Sequence, residues 1–431
     1  MVILLIGALA TLQALRPFLS SSGDGDGGFP LPQPEPCLGA AAEAAPPGID
    51  ATSVRGLARV VEGLRELRFE KVPRPTLLPS AEFERRVAGT IEYPEDEAER
   101  DARALAALGA AEPGTDLRGE VVELLEGQVA GFYDTDTKEL VVRADGAADG
   151  LDAVERVTLA HELEHALADQ ALGLPDLDDP APGREDASTA TLALVEGDAQ
   201  LVTELFVSVG LSLEEQVSLA TSGASGAGLD EAPYYLARSL LFPYVEGAEF
   251  ACALYERGGW EAVDRALADP PTTTAQVLFP SRYFAREAPV PPRAPDGLPA
   301  AWRATEPLAF GAADLLFLFE APGGSPDRAL DDPLGRAGTW AGGALHVWTR
   351  GADTATATLL SEREGGNEPR LCDSIVSWYR GSFPGAAAAS PMPGEALAVD
   401  GERQDAVVRC GGGEVRLGTG PDLATARRAA A

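Results

Sequence analysis

The sequence is short of lysine, histidine and cysteine, and each shortage excludes something. Lys71 and Lys138 are the only lysines among 431 residues. Every other basic residue, three histidines aside, is arginine, and 34 bases against 68 acids leave a formal charge of −34. So acidic a chain repels nucleic acid and anionic membrane surfaces, which removes both as expected partners. Scarce Lys beside abundant Ala, Arg, Gly and Pro is what a GC-rich coding genome produces and carries no functional meaning. The acidity suits either a salty habitat or an exported surface. Cys37, Cys252, Cys372 and Cys410 include no C-x-x-C pair, which excludes a thiolate zinc site. Their even number fits two disulfides in an exported protein, Cys372 with Cys410 and Cys37 with Cys252, or else four buried thiols. There is no glycine-rich nucleotide loop and no haem-attachment motif.

At the N-terminus, residues 2–15 (VILLIGALATLQAL) are apolar and end at Arg16-Pro17. A comfortable membrane span needs roughly 20 residues, and a signal peptide carries a basic leader that is lacking here. Read with the Gly/Pro/Ser-rich segment that follows, the run is an export signal or an N-terminal membrane anchor, over 1–19. Residues 20–48 are a linker. Helical periodicity then covers 55–69, 81–111 and 117–125. Val129–Tyr133 and Glu139–Arg143 flank Asp134-Thr-Asp-Thr-Lys138 and read as a β-hairpin. Helices follow at 152–172, stopped by Gly173, at 190–209 and at 213–219. Two more lie in 235–267, broken at Gly258-Gly259, and a short one follows Pro270-Pro271. A Pro-rich stretch, 289–299, separates a main domain at 49–288 from a C-terminal module at 300–431. In that module, strands at 345–349, 354–360, 406–410 and 414–417, a helix at 373–379 and a final helix give a small α+β unit.

Two of the three histidines are His161 and His165, in His-Glu-Leu-Glu-His. Four residues apart on a helix, they project from one face about 6 Å apart along the axis, so both imidazoles can hold one metal ion. Glu162 lies about 100° round the helix from His161. It can stand beside the metal without ligating it and take a proton from a water there. The remaining histidine, His346, sits between Leu345 and Val347 and reads as a structural strand residue. A carboxylate is the better third ligand. Glu196, in Leu194-Val-Glu-Gly-Asp198-Ala, lies on the next helix in apolar surroundings where a charge needs a partner. Asp198 then accepts from an imidazole N–H or pairs with an arginine. Tyr133, Tyr234, Tyr235 and Tyr244 are candidate oxyanion donors; nothing in the sequence selects among them, and a structural role is the commoner one for each.

The His161–His165 motif followed by Glu196 on the next helix resembles the gluzincin group of zinc metallopeptidases. The resemblance implies His161, His165 and Glu196 as ligands and Glu162 as general base. More narrowly, Gly131-Phe-Tyr-Asp134, His161–Gln170, Leu194–Ala199, Pro243-Tyr-Val-Glu-Gly247 and Pro271-Thr-Thr-Thr-Ala-Gln276 are together similar to poorly characterised exported bacterial metallopeptidase-like proteins, over about 115–285. The chain departs from better-known gluzincins in a 30-residue gap between His165 and Glu196, and in having Gln200 where some members place an acid. In zincins generally, an edge strand before the active helix binds substrate backbone; either hairpin strand is a candidate here.

The expected architecture is therefore α+β. A mainly helical, zincin-like metallopeptidase domain carries a small β-hairpin or sheet, and a small C-terminal α+β module follows. The expected function is an exported, extracytoplasmic Zn2+-dependent peptidase acting on peptides or proteins, with neutral or basic ones favoured by the acidic field. The alternative is an envelope or surface binding protein with a structural or vestigial metal site.

Overall fold

The computed structural model describes residues 37, 52–144, 151–175, 177, 183–221, 229, 231–365 and 370–431. The apolar run at 2–15 and, Cys37 apart, the linker at 20–48 lie outside the described residues. Among the described residues no helix is long and apolar enough to cross a membrane.

Helix α1 (Val54–Arg65) starts at Ser53, whose hydroxyl accepts from Gly56 N at 3.2 Å, and buries Leu57, Val60, Val61 and Leu64. Strand β1 (Thr76–Leu78) leads to α2 (Ser80–Thr90), α3 (Glu95–Ala107) and α4 (Leu117–Gln128). The hairpin follows as β2 (Gly131–Tyr133) and β3 (Leu140–Arg143). Its turn is held by Asp134 Oδ1, which accepts from Asp136 N and Thr137 N at 2.9 and 2.8 Å. Next come α5 (Ala153–Leu172), α6 (Glu185–Gly210), α7 (Leu213–Thr221), α8 (Tyr234–Ala268), α9 (Thr274–Leu278) and α10 (Pro280–Phe284). The expected break in α8 is present, with non-helical backbone at Gly258 and Gly259. The small sheet runs β1-β3-β2, β1 parallel and β2 antiparallel to β3, so β2 is an edge.

The remainder builds a second sheet. Its elements are β4 (Arg303–Ala304), β5 (Leu308–Ala309), α11 (Ala312–Glu320), α12 (Pro333–Ala337), β6 (Trp340–Arg350), β7 (Asp353–Glu362), α13 (Leu371–Ser382), β8 (Ala387–Ala388), β9 (Glu395–Asp400), β10 (Asp405–Gly411), β11 (Glu414–Gly420) and α14 (Leu423–Ala429). Strand order is β4-β6-β7-β11-β10-β9-β8, antiparallel, with β5 also on β6. The class is α+β. Cys37–Cys252 and Cys372–Cys410 are both disulfides. One buried apolar cluster includes both α5–α8 and α11–α13. Arg238 of α8, wholly buried, bonds Glu246 on its own helix at 2.5 Å and Glu320 of α11 at 2.8 Å. The Pro-rich stretch thus separates two textures of sequence whose apolar surfaces pack together.

Candidate metal centre

The motif helix is built to lie at the centre. Asp152 and Glu155 form a reciprocal cap at 2.8 Å each way, satisfying two of the otherwise unpaired N-terminal N–H groups. Every residue from Arg156 to Ala168 is buried. The polar groups of His161, Glu162, Glu164 and His165 must therefore find partners inside the protein.

Across from them, α6 approaches with Glu196. At Gly197 a Cβ would lie 2.1 Å from Gly247 O, and at Gly247 one would lie 2.2 Å from Ala193 O. Only glycine permits helices α6 and α8 to touch backbone to backbone there.

His161 Nδ1 lies 3.2 Å from Thr203 Oγ1, and that hydroxyl donates its one hydrogen to Ala199 O at 2.7 Å. The hydroxyl therefore accepts from His161 Nδ1–H, which leaves the Nε2 lone pair bare. This Nε2 stands 3.1 Å from His165 Nε2 and 3.1 Å from Glu196 Oε2, and His165 Nε2 is 3.5 Å from the same oxygen. All three side chains are 0% exposed. An ion bound tetrahedrally at about 2.0–2.1 Å holds its ligands about 3.3 Å apart, so the three residues fit a small cation. Burial lowers the His161 pKa. Burial alone would raise that of Glu196, but the two imidazoles outweigh it and leave the carboxyl lowered. A bare imidazole and an ionised carboxylate are the ligand forms a cation needs.

Behind the ligands sits Arg65, the last residue of α1. It forms a two-pronged pair with Asp198 at 2.9 and 3.0 Å, bonds Asp264 at 2.6 Å, and lies 4.4 Å from the centre of the Trp260 ring. Its Nε is 3.7 Å from Glu164. Of the two roles expected for Asp198, the arginine partner is the observed one. Burial and the neighbouring Asp198 push the Glu164 carboxyl well above its ordinary range, against the pull of Arg65.

Glu162 is buried on the same helix, and strand β2 presses on it. A Cβ at Gly131 would lie 3.1 Å from Glu162 Cγ and 2.8 Å from Thr158 Cγ2. Phe132 pairs with Val141, while Ala130 O accepts from Arg143 N and Asp134 N donates to Glu139 O. By antiparallel alternation Gly131 and Tyr133 therefore turn their backbone polar groups away from β3.

The tyrosines divide. Tyr133 donates to Asp169 at 2.8 Å, an oxygen it shares with Lys138, and Tyr235 donates to Asp314. Tyr234 donates to Glu320 at 3.0 Å. These three hydroxyls are committed to carboxylates, the structural role that the sequence reading set beside that of an oxyanion donor. Tyr244 packs on His161, their ring centres 6.3 Å apart. A cavity of about 100 Å³ adjoins Tyr244, bounded also by Val129, Leu192 and Asp314. A larger one, about 1520 Å³, lies between α3, α4 and the β6–β7 turn and touches none of the three ligands. His346 stacks on Trp348 in β6 and takes no part, as expected of a strand residue.

Sequence reasoning missed Arg65, Thr203 and Glu164. A signal existed for Arg65, which stands four residues after Val61 on the apolar stripe of α1. Thr203 falls seven after Glu196, on the same face of α6. No protein-family model, no curated protein and no solved structure matches the chain.

Proposed function

We propose that the chain is an exported zinc-dependent peptidase of the gluzincin type. The observation that carries the reading is the convergence of His161, His165 and Glu196, whose ligand atoms lie within 4.8 Å of one another, on the helix that also bears Glu162. Two imidazoles and a carboxylate at tetrahedral spacing are the donor set of catalytic zinc, whereas oxygen-only sites suit calcium or magnesium. Zinc held there supplies Lewis acidity, lowering the pKa of a water to about 7 and polarising a carbonyl. Glu162 takes the proton that the water loses as its oxygen bonds to the scissile carbon. It returns that proton to the amine nitrogen as the C–N bond breaks. Thr203 keeps His161 in the ligand tautomer. The outward backbone groups of Gly131 and Tyr133 pair with an extended peptide. Two disulfides and the apolar N-terminal run support an extracytoplasmic location.

The test is Glu162→Gln in the purified full chain, with zinc content and peptide hydrolysis measured together. The expected result is one zinc retained and turnover lost; full turnover overturns the mechanism. Complete burial of the ligands favours a second reading, a structural zinc in a binding protein. Stoichiometric zinc in a wild type that cleaves no peptide of a mixed library would establish that one instead.

A further inference from the structure

We infer that Glu164, held in place by Arg65, is the positioning residue for His165. The inference rests on the metal-centre reading, not on peptidase activity. The two histidine ligands are unequally supported. His161 has Thr203 behind its Nδ1 at 3.2 Å. His165 Nδ1 is buried with no hydrogen-bond partner. A metal on Nε2 obliges the ring proton to sit on Nδ1, and a buried N–H needs an acceptor.

One oxygen is in place. Glu164 Oε2 lies 3.8 Å from His165 Nδ1, and both Glu164 oxygens are themselves buried without a hydrogen-bond partner. Closing that gap by less than about 1 Å gives an ordinary N–H···O bond. Adjacent residues diverge by about 100° on a helix, so Glu164 points away from the ligand face and toward α1. There Arg65 Nε stands 3.7 Å from its Oε1. Arg65 is immobilised by Asp198, Asp264 and Trp260. It thus faces one Glu164 oxygen at ion-pair distance, with Asp198 alongside, and the other lies toward His165. Because Asp198 is two residues from Glu196, the same guanidinium braces both ligand helices. Either protonation state of Glu164 leaves an oxygen able to accept.

The experiment uses the full chain, with zinc alone as probe. Zinc affinity is measured by chelator competition for wild type and Glu164→Met. The ring N–H proton signals of the zinc-loaded proteins are read with 15N-labelled histidine, of which the chain has three. The expected result is a loss of zinc affinity of about ten- to a hundredfold. The His165 Nδ1–H signal should move upfield or vanish by exchange with water while that of His161 stays. Unchanged affinity overturns the inference. So does weaker affinity with the His165 signal unmoved, which would mark Glu164 as structural only. Should Glu164→Met not fold, Glu164→Asp keeps a carboxyl on that side chain but withdraws the oxygen by one methylene, and the same two changes are required of it. A wild type that binds no zinc overturns the metal reading as well. A zinc-binding wild type with an indifferent variant overturns this inference alone.

Discussion

The Thr203 hydroxyl accepts from His161 Nδ1 at 3.2 Å while donating to Ala199 O at 2.7 Å, so a single side chain selects the tautomer of a proposed metal ligand. Thr203→Val keeps the shape and removes the acceptor. A buried N–H left unmatched costs about 1–3 kcal/mol. We expect a lower melting temperature and zinc affinity reduced about ten- to a hundredfold, measured by calorimetry and chelator competition. An unchanged affinity would remove Thr203 from the centre.

Gly131→Ala tests the contact between the edge strand and Glu162, the proposed general base. Its new methyl meets Thr158 Cγ2 at 2.8 Å, Glu162 Cγ at 3.1 Å and Val141 O at 3.2 Å, so strand, helix or both must shift. Overpacking of this kind costs about 1–3 kcal/mol. Misplacing a catalytic group by about 1 Å costs about a hundredfold in rate. We expect kcat to fall with zinc content unchanged, since neither Thr158 nor Glu162 ligates. Equal loss of zinc and turnover would show that the strand supports the ligands instead.

Glu204 supplies a pH dependence. Burial raises its pKa from an ordinary 4.5 to about 7, although Cys37 N–H and Gln200 donate to it. Between those values the folded protein holds a proton that the unfolded chain releases. Stability from this group is therefore complete below pH 4.5, falls as pH rises, and is gone above pH 7. The shift corresponds to about 3 kcal/mol. Glu204→Gln should flatten that slope and stabilise the protein at pH 8, read from chemical denaturation at several pH values. A slope identical to wild type would refute the assignment.

The Cys372–Cys410 bond joins α13 to β10 across 38 residues of sequence. Closing a loop of that length stabilises by about 3–4 kcal/mol through the unfolded chain. The double Cys→Ser variant should lose about that much in denaturant unfolding. A loss near zero would mean that the sheet alone orders this region.

Much of this was legible in the sequence, and the rest was hidden for identifiable reasons. The helix carrying His161 was marked by its stop at Gly173 and by its motif. The strand partners at 345–349 and 354–360 were marked by β-branched alternation. Helix α11 was missed because Leu315-Leu-Phe-Leu-Phe319 is apolar on every face and has no period to read; all five residues are buried. Strand β1 is three residues long and exists through its pairing with β3. At the site, spacing along α5 and apolar neighbours along α6 were enough for His161, His165, Glu162 and Glu196. Whether Asp198 met an imidazole or an arginine depended on where α1 packs, a contact 133 residues distant in sequence. Glu164 was visible in the motif but silent until Arg65 stood beside it. Which tyrosines are structural could not be read from the sequence, because the acids that claim three hydroxyls, Asp169, Asp314 and Glu320, come from other elements.

The glycine contact between α6 and α8 has a mechanical meaning. Where two helices meet backbone to backbone their separation is set by that contact, and a turn of α8 about it would pivot on Gly247. From there to Tyr234 is thirteen residues, a lever of about 20 Å. A rotation of about 10° would carry that end about 3–4 Å, yet scarcely move Glu196, next to the fulcrum at Gly197. Glu196 is seated where such a turn would displace least. Tyr234, Tyr235 and Arg238 lie at the far end of that lever, where Glu320 and Asp314 of α11 tie it down.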